Sequence, residues 1–184
     1  MVSGTKEPGR QTRLRIQHAL RRLSLSGPYE AITVEAICRE AQVGRSTFYG
    51  HYAGKDAVKA AAVAVHLSLD IEAALRGASG LPSIFQALFR HADQHRVSYE
   101  ALRSGRGKDV VLAAIGKVLT EAIGRETGSA TVRTDQTRKR AAVAFAVAGA
   151  VALLVEWLDH MPDGDPNTRA ALVSEMVGRT LFQI

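Results

Sequence analysis

ITVEAICREAQVGRSTFYGHYAGK, residues 32–55, is the stretch whose reading decides the fold. Thr33 is suited to cap a helix, because its hydroxyl can accept from a backbone N–H two or three residues on. Ala36, Ile37 and Ala41 then supply an apolar face at helical spacing. Gln42 and Val43 leave room only for a tight turn. A second short helix runs from about Gly44 to Tyr52, Ala53 and Gly54 break it, and another helix opens at Lys55. Ile37, Ala41, Val43 and Phe48 are spaced to pack together and against Leu20 and Leu23 of a preceding helix. Packing therefore leaves Arg45, Ser46, Tyr49 and His51 free on the second short helix. They offer a guanidinium, two hydroxyls and an imidazole, the groups that contact phosphates and base edges in a major groove. The positive end of this helix lies near Gly44 to Ser46 and favours a phosphate. Lys55 offers the next phosphate its backbone N–H or its ammonium.

The rest of the chain reads as helices. Residues 1–10 are polar with Gly and Pro and are expected to form a disordered basic arm. Leu14, Ile16, Ala19, Leu20 and Leu23 recur at spacings of about three and four, and Ser26 to Pro28 stop that helix. From Lys55 a helix to about Arg76 places Val58, Ala61, Ala62, Val65 and Leu69 on one face. Further helices are expected from Pro82 to about Gln94, His95 to Ser104, Lys108 to Glu126, Asp135 to His160 and Pro166 to Phe182, with Asp165 as a cap and Pro166 in the first turn. No two-residue period is sustained, so the fold is all-α, of about nine helices. A helix-turn-helix domain spans 11–54 and a second helical domain 55–184.

Charge divides the same way. Residues 1–55 hold nine Lys or Arg against four Asp or Glu, whereas the remainder holds fifteen against fourteen. A basic first third beside a near-neutral bulk points to a polyanion-binding module on a scaffold. The single cysteine, Cys38, excludes an intrachain disulfide and fits a reducing cytoplasm. The N-terminus has no apolar core of a secretory signal. The longest uncharged apolar run, Ala141 to Val155, falls short of the ~20 residues that a membrane span needs.

The segment 32–55 resembles the tetracycline-repressor (TetR) family of transcriptional regulators. The family pattern is T-x-x-x-I-A-x-x-A-G-V-S-x-x-T-x-Y-x-H-F-x-x-K, and Thr33, Ile37, Cys38, Ala41, Val43, Thr47, Tyr49, His51, Tyr52 and Lys55 stand at its places. The motif covers about an eighth of the chain. The resemblance implies that Arg45 reads bases, that Thr47, Tyr49, His51 and Lys55 hold phosphates, and that Thr33 and Ser46 help. It implies a homodimer on a palindromic double-stranded operator, commonly as a repressor, and an unidentified small-molecule effector. Three positions depart from the pattern. Gln42 replaces the turn glycine, where a left-handed backbone would cost roughly 1–2 kcal/mol. Gly44 replaces the serine cap, and Gly50 replaces a side chain and weakens the helix by ~1 kcal/mol relative to Ala.

In the second domain, Ala141 to Ala150 form a helix that is apolar on every side and must be buried. Its small residues let another helix approach closely. One side faces its own domain, and the other is expected to meet a twin across a two-fold axis, through Ala142, Phe145, Ala146, Gly149 and Leu153 with Leu172, Met176 and Val177 of the last helix. His66, Leu69, Phe85, Phe89, Tyr99, Leu102, Ile115 and Trp157 are the candidate lining of an effector pocket, with simple core packing as the alternative for each.

Four rival readings have specific residues behind them. His91 and His95, four apart on one helix face, suit a metal-dependent helical enzyme, but Ala92 stands where the zinc-protease pattern needs Glu. No catalytic carboxylate pair or serine motif is present, and neither a metal nor a cofactor is expected. Cys38 as a redox sensor would need exposure, yet it sits beside Ile37 on the packed face. Arg138 to Arg140 flank the apolar run as a membrane anchor would, but Glu156 and Asp159 follow it. A nonspecific nucleoid protein would bind all duplexes alike.

Overall fold

A computed structural model describes residues 8–96, 105–128, 136–160 and 164–182. They form eight α-helices and one short 3-10 turn, with no strand among the described residues. In chain order the helices are α1 (Pro8–Ser26), α2 (Val34–Ala41), α3 (Arg45–Tyr49), α4 (Lys55–Gly77), α5 (Leu81–Gln94), α6 (Arg106–Gly128), α7 (Gln136–His160) and α8 (Pro166–Phe182). The helix expected over His95 to Ser104 lies largely outside the described residues, as does the arm up to Glu7. The described residues fall into two compact units. The first runs to Ala62 and includes 105–111; the second holds Val63–Arg96 and the described residues from Leu112 on. The boundary therefore falls inside α4, and the first turn of α6 belongs with the first unit.

In the first unit α1 opens on Pro8, whose missing N–H is no loss at a helix start. Ile16, Ala19 and Leu20 are buried on its inner face, while Leu14 is 40% exposed and Leu23 only half-buried. Ser24 takes the next inward place and hides its polarity by donating to the Leu20 carbonyl at 2.9 Å. Pro28, extended, ends the break after α1 and leads into a 3-10 turn, Tyr29–Ala31. Ile37, Cys38, Ala41, Phe48 and Val58 close this core. Cys38 is a buried free thiol.

In the second unit α5 is the central element. Ile84, Phe85, Leu88 and Phe89 are fully buried, and α5 packs on α8. Its start is fixed by Gly80, at φ +104, whose N–H donates to the Glu126 carboxylate at 2.9 Å. α4 presents Leu67 and Ile71 to this core, not the expected Val65 and Leu69, which are 47% and 57% exposed. α4 carries apolar residues all round, so its periodicity admits more than one buried stripe. α7 buries Val143, Ala146, Val147, Ala150, Leu154 and Trp157. By length and apolarity α7 could cross a membrane, with mean hydropathy 2.2, a test that the core helix of a soluble protein also passes. At α8 Asp165 accepts from the Thr168 backbone N–H at 2.9 Å and from its hydroxyl, which holds the Asp165 carboxyl below its usual pKa.

Candidate nucleic-acid interface

The turn between α2 and α3 sets where α3 points. Thr33 caps α2, its Oγ1 accepting from Ala36 N–H at 3.1 Å. At the other end Gln42 adopts the left-handed conformation, φ 53 and ψ 50, the only non-glycine positive φ among the described residues. The turn thus keeps the geometry that usually selects glycine, without the glycine. Arg15 of α1 holds it in place. Its Nε and Nη2 donate to the Ala41 carbonyl at 3.0 and 2.6 Å, and Nη2 also donates to the Gln42 carbonyl. A guanidinium on the last carbonyls of a helix satisfies orphan acceptors and opposes the negative end of the dipole. Because Arg15 binds only backbone, Gln42→Gly should leave the turn intact and relieve its strain. The expected gain is about 1 kcal/mol, read as a higher urea midpoint with an unchanged slope.

α3 itself is five residues long, N-capped by Gly44 without a side-chain bond. Phe48 is its inward residue, fully buried, with the Tyr49 ring edge-on at 5.4 Å and the Tyr52 ring at 6.2 Å. Tyr52 is buried too and accepts from Gln17 Nε2 at 2.9 Å. With Phe48 inward, Arg45, Ser46, Thr47 and Tyr49 are all exposed, Tyr49 by 51%. They form the continuous polar outer face of α3. His51 is half-buried and lies close to α1, where a Cβ on Gly9 would stand 3.5 Å from its Cε1.

Lys55 behaves differently from the sequence expectation. Its ammonium donates to the carbonyls of Tyr29, Glu30 and Ile32 at 2.7, 3.0 and 2.9 Å. It also lies 4.7 Å from the Tyr29 ring centroid. All three ammonium protons are committed to the 3-10 turn and its cap, which leaves the backbone N–H at the start of α4 as the other donor of Lys55. Neighbouring groups brace the same turn. Tyr29 donates to Asp56 Oδ1 at 2.7 Å, and burial together with Asp56 raises the Tyr29 pKa, so it remains a phenol. Arg106 Nε donates to Asp56 Oδ2 at 2.7 Å. Gly105 sits at φ +86 with Glu30 so close that a Cβ would stand 2.5 Å from its Oε1. Arg15, Tyr29 and Arg106 were not singled out in the sequence, because their acceptors lie 26 to 50 residues away.

Other candidates separate in the second unit. Phe85, Phe89, Ile115 and Trp157 are fully buried, and Phe89 meets Trp157 edge-on at 5.5 Å. Leu69 faces outward, so it does not join them, and His66 is exposed. Tyr99 and Leu102 lie outside the described residues. Of the expected dimer contacts, Phe145 is 69% exposed, Met176 52% and Leu172 42%, and Gly149 is exposed as well. Ala142 and Leu153 are half-buried. Ala146 and Val177 are buried inside their own chain, which withdraws them from any surface contact. Instead Ala141, Ala144, Phe145, Ala148, Gly149 and Ala152 form the outward face of α7, at spacings of three and one.

The histidine pair is structural in its first member. His91 is buried with Nδ1 2.7 Å from Asp70 Oδ2. Burial lowers its pKa and outweighs the opposing pull of Asp70, so His91 is neutral at pH 7 and donates from Nδ1. His95 lies 4.5 Å from it, centroid to centroid. Among the described residues no group of three or more His, Cys, Asp or Glu is arranged to hold a metal ion.

The profile of the bacterial regulatory proteins of the tetR family matches residues 16–62. No curated relative matches the sequence. Several solved structures share the fold at low identity. A TetR transcriptional regulator from Rhodococcus sp. RHA1 is 11% identical, with 97% of this chain and 100% of that chain covered and a TM-score of 0.65. One from Streptococcus agalactiae is 19% identical, covering 92% and 94% with a TM-score of 0.64. FadR of Thermus thermophilus, a TetR-family transcriptional repressor solved with lauroyl-CoA, is 17% identical, covering 92% and 95% with a TM-score of 0.61.

Proposed function

Since the chain belongs, through its N-terminal domain, to the TetR family of bacterial regulatory proteins, we propose that it is a dimeric repressor released from a palindromic operator by a small effector. It is a helix-turn-helix DNA-binding regulator; repression, the operator and the effector are our reading. The observation that carries it is the outer face of α3. Phe48 is fully buried, and Arg45, Ser46, Thr47 and Tyr49 are exposed together beside it. Arg45 would bind a guanine edge with its forked donors, while Ser46, Thr47, Tyr49 and the backbone N–H of Lys55 would hold flanking phosphates. Thr33 and His51 would add contacts at the margins.

Dimerisation would use the outward face of α7 with Leu172 and Met176 of α8. Exposed residues of this size and polarity on adjoining helices are what a second copy would cover. Two α3 helices one helical turn of DNA apart, ~34–36 Å, would then read two half-sites. Phe85, Phe89 and Trp157 would line an apolar effector site within the second unit, and a ligand that binds the DNA-incompetent form better would shift the population off the operator. Such a regulator acts in the cytoplasm, needs no cofactor and catalyses nothing.

Selection of bound sequences from random duplexes should return a palindrome. In anisotropy titrations against that duplex, Arg45→Ala should lose about 1–3 kcal/mol of discrimination at particular base pairs while keeping its affinity for random DNA. Unchanged base preference in that variant would remove Arg45 as the reader, and equal affinity for all duplexes would remove the regulator reading altogether.

A further inference from the structure

Arg96 follows the end of α5 in the second unit. Its Nη2 donates to Asp93 Oδ1 at 3.0 Å, and its guanidinium carbon lies 4.6 Å from the Trp157 ring centroid. Trp157 is fully buried, and its own N–H is already spent on the Gly164 carbonyl at 3.2 Å. The other guanidinium nitrogen of Arg96, Nη1, is buried and has no hydrogen-bond partner, alone in this among the buried side-chain N and O atoms of the described residues. A dry, positively charged N–H₂ group without an acceptor is unfavourable by itself and favourable only when an oxygen reaches it. Asp93 does not meet that need, since it takes Nη2 and is itself half in solvent, its side chain 46% exposed.

We propose that Arg96 Nη1 is the anchor for the acidic head of an effector, a small monocarboxylate with an apolar body. The indole of Trp157, edge-packed with Phe89, supplies the apolar wall beside the anchor. A carboxylate forms the stronger, charge-assisted bond with a guanidinium, and a neutral carbonyl forms the weaker one. The proposal rests on the reading of the second unit as effector-binding and names the ligand class of that site.

Trp157 is the only tryptophan of the chain, so its fluorescence reports on this place directly. The full-length protein is titrated with octanoate and with 3-phenylpropanoate, each against its uncharged amide. At least one acid should change the emission saturably, with its amide at least tenfold weaker. Arg96→Gln should weaken that acid at least tenfold with an unchanged far-ultraviolet circular dichroism spectrum. Arg96→Lys, which keeps the charge but not the fork, should fall between the two and serves if the glutamine variant does not fold. Amides that bind as tightly as the acids, variants that bind the acid as the parent does, or no response to either acid at millimolar concentration would each overturn the proposal. The operator complex separates this from the wider reading. Release of DNA by a neutral compound alone would remove the carboxylate anchor and keep effector control. Acid binding at Trp157 that never alters DNA affinity would keep the anchor and remove release.

Discussion

Phe48→Ala is expected to destabilise the first unit by about 3–5 kcal/mol and to abolish DNA binding at ambient temperature. A five-residue helix cannot hold itself together in water, because nucleation is unfavourable and too few propagating bonds follow. α3 exists because Phe48 is inserted into the core, fully buried, and because backbone bonds from Phe48 to Gly44 and from Tyr52 to Phe48, both 2.9 Å, straddle that anchor. Truncation removes the ring contacts with Tyr49 and Tyr52 and leaves a cavity under the helix. Small domains have only about 5–15 kcal/mol in hand, so the loss takes a large share of it. Urea titration followed by far-ultraviolet circular dichroism reads the cost. Phe48→Leu, closer in volume, should lose under about 1.5 kcal/mol and retain DNA binding. A wild-type midpoint for Phe48→Ala would mean that something other than this ring holds α3.

Much of this architecture was legible wherever a local signal marked an end. α8 begins at Pro166 as expected because Asp165 is a cap, and that cap is visible as Asp-Pro in the sequence. α2 begins after Thr33 for the same reason. Faces were less legible than ends. α4 is apolar on several sides, so the stripe through Val65 and Leu69 could not be told from the one through Leu67 that packing chose. α7 posed the same difficulty, and the chain buried Ala146 while turning Phe145 outward. Both are cases where side-chain period carries little information and tertiary packing decides.

The candidate interface divides along a similar line. Arg45, Ser46 and Tyr49 could be named because they remain once Phe48 is assigned inward, and that subtraction needs only local spacing; it also named His51, which is half-buried, while Thr47 came from the family resemblance alone. The long-range supports could not be named. Arg15 reaches the carbonyls of Ala41 and Gln42, and Lys55 reaches those of Tyr29, Glu30 and Ile32. Backbone carbonyls are present at every residue, so no residue type marks them as partners. A basic residue bound to carbonyls looks, in sequence, like a basic residue awaiting a phosphate.

Lys55→Met tests that distinction. The substitution keeps the length and apolar stem of the side chain and deletes only the ammonium. If the ammonium served a phosphate, the folded variant would lose affinity for all duplexes alike and its salt slope would flatten by about one unit. The structure leads to a different result. The three carbonyls lose a shared charged donor, two of those bonds being partly shielded from water, and the expected cost is about 2–4 kcal/mol of stability in the first unit. The Tyr29 ring also loses its cation. The backbone N–H at the start of α4 is untouched, so the salt slope of the remaining folded protein should change by well under one unit. Denaturation and salt-dependent anisotropy on the same preparation separate the outcomes. Full stability with a slope reduced by one would return Lys55 to the phosphate backbone and show that the three carbonyls can find water in its place.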